Sequence, residues 1–163
     1  MTMERTRTVT WEDPLETVRS APGRTGLELI QDVFSGKLPA APITATMGFT
    51  GVEARKGWAA FEGDPAEYLY NPIGVVHAGW AMTLLDSAMG CAVHTTLGVG
   101  ERYTTLELKS NFVRAISLDT GRVRCEGVVL HRGATIATAE ARLFAKASGK
   151  LLAHGTTTCL IIK

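Results

Sequence analysis

The chain has 163 residues, with a hydrophobic fraction of 45% and a charged fraction of 20%, which is typical of one globular domain with its own core. Its formal net charge is +1 and it has no cluster of Lys and Arg, so a nucleic-acid partner is not expected. The first fifteen residues lack the apolar segment of a secretion signal, and this predicts a cytoplasmic protein.

The three cysteines are predicted to be small, reduced core residues. An odd count without Cys-x-x-Cys spacing supports neither a disulfide framework nor a zinc site. The histidines also lack ligand spacing, so no metal is expected. The cysteines are Cys91, Cys125 and Cys159.

The first predicted region, residues 1–42, is a tail followed by two helices. Residues 1–12 are predicted to form a loose tail. Asp13-Pro14 then supplies an N-cap and a proline at the first helical position, and Gly23 can end this short helix.

A second helix is predicted to begin at Thr25, because Thr25 and Glu28 have the spacing of a capping box. Gly36 supplies a stop, and Pro39 and Pro42 close the region. Four apolar residues fall on one face at helical spacing: Leu27, Ile30, Val33 and Phe34.

The second predicted region, residues 43–163, begins with two strands, Gly48–Arg55 and Trp58–Phe61, which flank a Lys56-Gly57 turn. Such a pattern predicts a hairpin.

A long buried helix is predicted over Ala78–Val93, which is apolar on all sides apart from Asp86. Asp86 is also the single Asp, Glu, Lys or Arg between Tyr68 and Gly100. A membrane span is rejected because the segment is shorter than about 20 residues and carries a carboxylate at its centre.

Alternation with period two follows Gly100 and predicts a four-stranded antiparallel meander. In the third of these strands the inward residues are small alanines, which allow a helix to lie close to the sheet. The predicted fold is α+β, a sheet wrapped around one central helix. The four strands are Arg102–Arg114, Arg122–His131, Thr135–Lys146 and Leu151–Ile161.

The start of the buried helix is the first candidate site. Its unpaired backbone N–H groups can stabilise a developing oxyanion, and the small Ala78 and Gly79 leave room for a substrate carbonyl. Asp86, in an apolar setting, is predicted to have a raised pKa and to act as general base or nucleophile.

Ala78 and Asp86 are separated by eight helical residues, or ~12 Å. This is too far for both to contact one carbonyl carbon. If they act together, Asp86 must come from a second chain whose central helix lies antiparallel to the first, which predicts a two-fold dimer with two composite sites.

The spacing of Asn71, His77, Ala78-Gly79 and Asp86 resembles the signature of PaaI-type and 4-hydroxybenzoyl-CoA-type hotdog thioesterases. The resemblance covers roughly residues 45–162 and leaves the N-terminal helices outside. It implies a hotdog fold, an antiparallel sheet wrapped around one long central helix, with extra N-terminal helices. Further resembling segments are Thr104–Ala115, Leu130–Gly133 and Gly149–Thr158.

The resemblance implies that Asn71, His77, the backbone N–H of Ala78 and Asp86 surround the thioester. A hydroxyl from Thr105, or alternatively Thr104, would support the attack. His77 would either contact substrate or orient the Asn71 loop. Ala78 stands where the family usually has glycine, so its methyl group narrows the pocket while the N–H donor is kept.

Three further residues are candidates for substrate contact. Arg132, next to Gly133 in a turn, would contact the phosphates of coenzyme A, or be a solvated hairpin arginine. Trp80 would line an acyl or aryl pocket, or pack in the core.

The resemblance implies an acyl-CoA thioesterase, a hydrolase of class EC 3.1.2.-, that converts a small-to-medium acyl- or aryl-CoA to free acid and CoA. No cofactor is expected beyond the coenzyme A of the substrate, and a homodimer or homotetramer without membrane or nucleic-acid partners is implied. One alternative is a non-catalytic acyl-CoA-binding module that regulates a partner. Another is a hotdog hydratase, which needs an Asp/His pair close together.

Overall fold

One antiparallel sheet of six strands wraps a long helix in the computed structural model, which describes residues 3–163. This is the predicted α+β architecture. The strands are β1 (Phe49–Arg55), β2 (Trp58–Gly63), β3 (Arg102–Phe112), β4 (Val123–Arg132), β5 (Ile136–Ala145) and β6 (Leu151–Ile162). The helices are α1 (Leu15–Arg19), α2 (Gly26–Phe34), α3 (Pro42–Met47) and α4 (Ala78–His94).

Helix α4 is the predicted central helix, and it extends one residue further than expected, to His94. Its sheet-facing side is fully buried. One side of the helix is left open by its own chain. We call this side the open stripe; its residues are Ala78, Gly79, Met82, Thr83, Asp86 and Ser87.

The sheet approaches α4 closely because its inward residues are small. Ala137, Ala139 and Ala141 of β5 are buried, as the alternation predicted. At Gly127 of β4, a Cβ atom would lie 2.3 Å from the backbone oxygen of Ala88. A side chain at this position is therefore excluded by the helix itself.

The strand order is β1-β2-β4-β5-β6-β3, so the predicted four-stranded meander is wrong. Only β4, β5 and β6 form a meander, and β3 pairs with β6 at the far edge. Strands β3 and β4 are joined by a long connection, residues 113–122, rather than by a hairpin turn. Within it, the carbonyl of Ile116 accepts the N–H of Val76, 2.8 Å away. Because β3 is the last strand in this order, it is an edge strand.

The two predicted N-terminal helices are present, and the capping box of α2 is formed in both directions by Thr25 and Glu28. Helix α1 is shorter than predicted and ends at Arg19 rather than near Gly23. Helix α3 was not predicted, because Pro42 was interpreted as a stop although it occupies the first turn of a helix.

The tail is fixed where the structure describes it, which corrects the prediction of a loose segment; residues 1–2 lie outside the described part. The Arg7 guanidinium donates to the carbonyl oxygens of Ala45 (2.7 Å) and Thr46 (2.6 Å) at the end of α3. It also lies 3.9 Å from the centre of the Tyr68 ring. These cation–π and helix-end contacts hold the tail against the body of the protein.

Candidate functional site

The loop before α4 is shaped by Asn71. Its side-chain oxygen accepts the N–H groups of Ile73 (3.1 Å) and Val75 (3.3 Å). Its backbone N–H donates to the carbonyl of Val75 at 2.8 Å. Asn71 therefore stabilises a compact turn that ends shortly before His77.

His77 is the N-cap of α4, and its Nδ1 atom accepts the N–H of Gly79 at 2.9 Å. An accepting Nδ1 carries no proton, so the proton of the neutral ring is on Nε2. The residue is exposed, which leaves the Nε2–H donor available to a ligand. The Gly79 N–H is correspondingly engaged by the cap.

The Ala78 N–H is the remaining donor at this helix start. Ala78 is the first residue of α4, and its N–H has no hydrogen-bond partner within residues 3–163. Such a group lies at the positive end of the helix dipole. A cavity of about 280 Å³ opens here, lined by Asn71, His77, Ala78 and residues 112–116.

Asp86 lies on the open stripe and is exposed in a single chain. Protein nevertheless surrounds much of its carboxyl group, and this desolvation raises the pKa of Asp86. A hydrogen bond from the Thr105 hydroxyl lowers that pKa and offsets part of the increase. Thr105 and Asp86 thus form one cluster.

Thr104 is directed to the other face of the sheet. It pairs with Leu160, whereas Thr105 pairs with the buried Cys159 on the side facing α4. Successive residues of a strand point to opposite faces, so only one of the two threonines can face the helix. The structure brings Thr105, not Thr104, to Asp86.

A second cavity, of about 520 Å³, extends from Asp86 beneath the N-terminal helices. Ser87, Cys91 and Tyr103 line it near the carboxylate. Burial, assisted by the charge of Asp86, raises the pKa of the Cys91 thiol to about 12, so this cysteine is a neutral wall residue rather than a nucleophile. Sequence reasoning missed these residues, because alone they have the appearance of core positions.

Of the candidates for substrate contact, Trp80 lies in the core. It is 1% exposed, and its indole N–H donates to the carbonyl of Met47 at 2.8 Å. Arg132 forms an ion pair with Glu101 at 2.6 Å and also donates to the Gly133 carbonyl. Neither Trp80, Arg132 nor Gly133 lines the two cavities described above.

The candidate residues therefore form two clusters in one chain. Asn71, His77 and Ala78 surround the smaller cavity, while Asp86 and Thr105 border the larger one. Both Ala78 and Asp86 lie in α4, so eight residues of helical rise, ~12 Å, separate the two clusters.

Comparisons with known proteins bear on the family of the chain. The family profile described as thioesterase superfamily matches residues 73–151. A conserved protein from Pseudomonas aeruginosa is 32% identical, and the match covers 76% of this chain and 95% of that one with a TM-score of 0.69. The chain belongs to the thioesterase superfamily.

Similar solved structures include a phenylacetic acid degradation-related protein from Ralstonia eutropha, 25% identical over 80% of this chain and 97% of that one, with a TM-score of 0.71. A thioesterase family protein from Silicibacter pomeroyi is 26% identical over 82% of this chain and 95% of that one, also with a TM-score of 0.71. The predicted PaaI-like resemblance and hotdog fold are confirmed. No curated protein matches the sequence.

The thioesterase-superfamily match includes Ala78, Asp86 and Thr105 but not Asn71 or helices α1, α2 and α3. The larger cavity thus combines a wall from the shared fold with a wall from outside the matched region. Within the described residues, no helix has the length and apolarity to cross a bilayer.

Proposed function

We propose that the protein hydrolyses an acyl-CoA or aryl-CoA thioester to the free acid and CoA. The observation that carries this proposal is Asp86, a carboxylate with a raised pKa at the wall of a cavity in which no other lining residue of the described chain is charged. A perturbed carboxylate in a pocket is typical of acid–base catalysis, and membership of the thioesterase superfamily supports thioester chemistry.

In the proposed reaction, the Asp86 carboxylate removes a proton from water as the water oxygen attacks the thioester carbon. The Thr105 hydroxyl orients that water, and the Ala78 N–H binds the developing oxyanion. Collapse of the tetrahedral intermediate breaks the carbon–sulfur bond, and the departing CoA thiolate takes the proton from Asp86. Direct attack by Asp86, giving an anhydride that water then hydrolyses, uses the same residues.

We further propose that each site is shared by two chains. One copy contributes Asn71, His77 and Ala78, and the other contributes Asp86 and Thr105, because ~12 Å separates the clusters within a chain. Two features support a two-fold dimer: the open stripe of α4, and the free edge of β3 beside it. A long unpaired edge strand presents N–H and C=O groups that can pair with another chain.

The first test is turnover of a panel of CoA thioesters, followed with a thiol-detecting reagent. Asp86→Asn is expected to lower kcat by at least about a hundredfold while the protein stays folded, because a positioned proton acceptor is lost. Asp119→Asn, the same change at an exposed position on the 113–122 connection, is the matched control and should leave kcat unchanged. Parent-like turnover by Asp86→Asn would remove Asp86 from the mechanism.

The second test is complementation between two inactive variants. Ala78→Pro removes only the N–H donor, because proline is tolerated at the first position of a helix and His77 already has the extended ψ of 135° that a following proline requires. Co-expressed Ala78→Pro and Asp86→Asn chains, purified through two different tags, should regain one intact site of the two in each mixed dimer. A mixed dimer that forms but stays inactive, or an active monomer, would contradict the shared site.

A further inference from the structure

The larger cavity lies between two parts of the chain that are distant in sequence. One wall is the α4 and β3 region with Asp86, Cys91 and Tyr103. The other wall comes from the N-terminal helices, through Ile30, Val33 and Phe34 of α2 and neighbouring residues of α1 and α3. Its volume, about 520 Å³, is that of a small-molecule pocket.

The lining restricts what the cavity can hold. Asp86 is the single charged lining residue among residues 3–163, and the other lining residues are apolar or small, with a few hydroxyl groups. The phosphates of a CoA moiety would meet no cation and one carboxylate there, which is unfavourable. An uncharged group attached to the carbonyl carbon beside Asp86 needs no cation and is not repelled by the carboxylate.

Phe34 has a fixed place in this cavity. Its ring lies edge-to-face against Phe61 of β2, with centroids 5.1 Å apart. It also covers Gly51 of β1 so closely that a Cβ atom there would lie 2.1 Å from the ring. The missing side chain at Gly51 thus creates the seat for Phe34, and the ring forms a rigid wall.

We propose that this cavity is the acyl site, that it takes uncharged acyl or aryl groups, and that Phe34 sets the largest group accepted. The inference rests on the proposed thioester hydrolysis. Helix α2 lies outside the region matched by the thioesterase superfamily, residues 73–151, so the family match itself does not include this wall of the cavity.

The test is a kcat/KM profile over straight-chain acyl-CoAs of increasing length, phenylacetyl-CoA and succinyl-CoA. Phe34→Ala should move the optimum to longer chains, by up to about fourfold per additional buried methylene, the equivalent of about 0.8 kcal/mol. Val33→Phe should narrow the cavity and selectively reduce turnover of the longest chains. Succinyl-CoA, with its added carboxylate, should be a poor substrate of all three proteins.

Leu29→Ala is the matched control, because Leu29 is buried on α2 but does not line the cavity. Leu29→Ala should destabilise the helix without changing the acyl-chain length at which kcat/KM is highest. An unchanged profile in Phe34→Ala and Val33→Phe, with an active parent, would overturn the acyl-site inference and leave the proposed hydrolysis intact. If the parent hydrolysed no thioester, the proposed function would fail. Calorimetric binding of the same acyl-CoAs to the parent and both variants would then still test the cavity, and length-independent binding would overturn it.

Discussion

The sheet-facing side and the open stripe of α4 belong to one helix but have different chemistry. The sheet-facing side carries Leu84, Leu85 and Ala88, which are fully buried, and it approaches the backbone of the sheet at Gly127. The open stripe carries small residues at its start, continues with Met82 and Thr83, and ends with Asp86 and Ser87.

This difference separates stability from chemistry within a single element. Close packing along one side fixes the position of the helix, so the other side can carry a carboxylate whose charged form is poorly solvated. Changes on the sheet-facing side should therefore affect unfolding, whereas changes around the open stripe should affect turnover while the fold persists.

The strongest test of the packed side is Gly127→Ala. The added methyl meets the Ala88 carbonyl of the helix backbone, which cannot move aside as a flexible side chain can, so we expect a loss of about 1–3 kcal/mol in the free energy of unfolding. Urea denaturation measures it. Val128→Ala, at the adjacent and exposed position, should stay within about 0.5 kcal/mol of the parent. Equal stability of the two variants would mean that the helix and the sheet are less tightly packed than the contact at Gly127 indicates.

The open stripe is best tested through pH, with the neighbouring threonines as a matched pair. Thr105→Val removes the hydroxyl that lowers the pKa of Asp86, so that pKa should rise further above its ordinary value. Catalysis needs the ionised carboxylate, so activity falls as pH drops through this pKa. The acidic limb of the kcat/KM profile should shift to higher pH, and kcat should fall about tenfold.

Thr104→Val makes the same chemical change on the opposite face of β3 and should leave the profile in place. A shift in Thr104→Val instead, or in both variants equally, would contradict the assignment of Thr105 to the Asp86 cluster.

The smallest effect is expected at the first residue of the open stripe. Ala78→Gly keeps the N–H donor and removes one methyl group, so bulky acyl groups should gain up to about fivefold in kcat/KM, with little change for short ones. A steady-state comparison across short, long and aromatic thioesters measures this. A uniform thousandfold loss would show that Ala78 positions the helix rather than the substrate.

Local features of the fold could be read from the sequence because their determinants are neighbours. The capping box of Thr25 and Glu28 and the turn at Lys56-Gly57 each involve residues a few positions apart, and both are present in the structure. The pairing of β3 with β6 could not be read in this way. It joins Arg102 to Ile162, and alternation alone does not specify which strand is the partner.

The residues of the candidate site also differ in whether the sequence alone could identify them. The helix start and Asp86 stand out in the sequence, because a lone carboxylate in an apolar helix is unusual. Thr105 was identified only through resemblance to a family. Phe34 looked like an ordinary core-facing residue, and its place in the Asp86 cavity depends on the folding of the N-terminal helices back onto β1 and α4.

Strand β3 contains a β-bulge, which determines which of its side chains face the helix. The pairing of β3 with β6 shifts between Thr105 and Glu107, leaving Leu106 as one extra residue. Before the bulge the odd-numbered Tyr103 and Thr105 share the helix-facing side, and after it the even-numbered Leu108 takes over, opposite the buried Thr157. Deletion of Leu106 would remove the bulge and keep the residues on both sides of it opposite their present partners, whereas an insertion or deletion elsewhere in β3 would force part of the strand to exchange faces. Changes of length away from the bulge are thus expected to be more damaging than substitutions at the exposed positions of the strand.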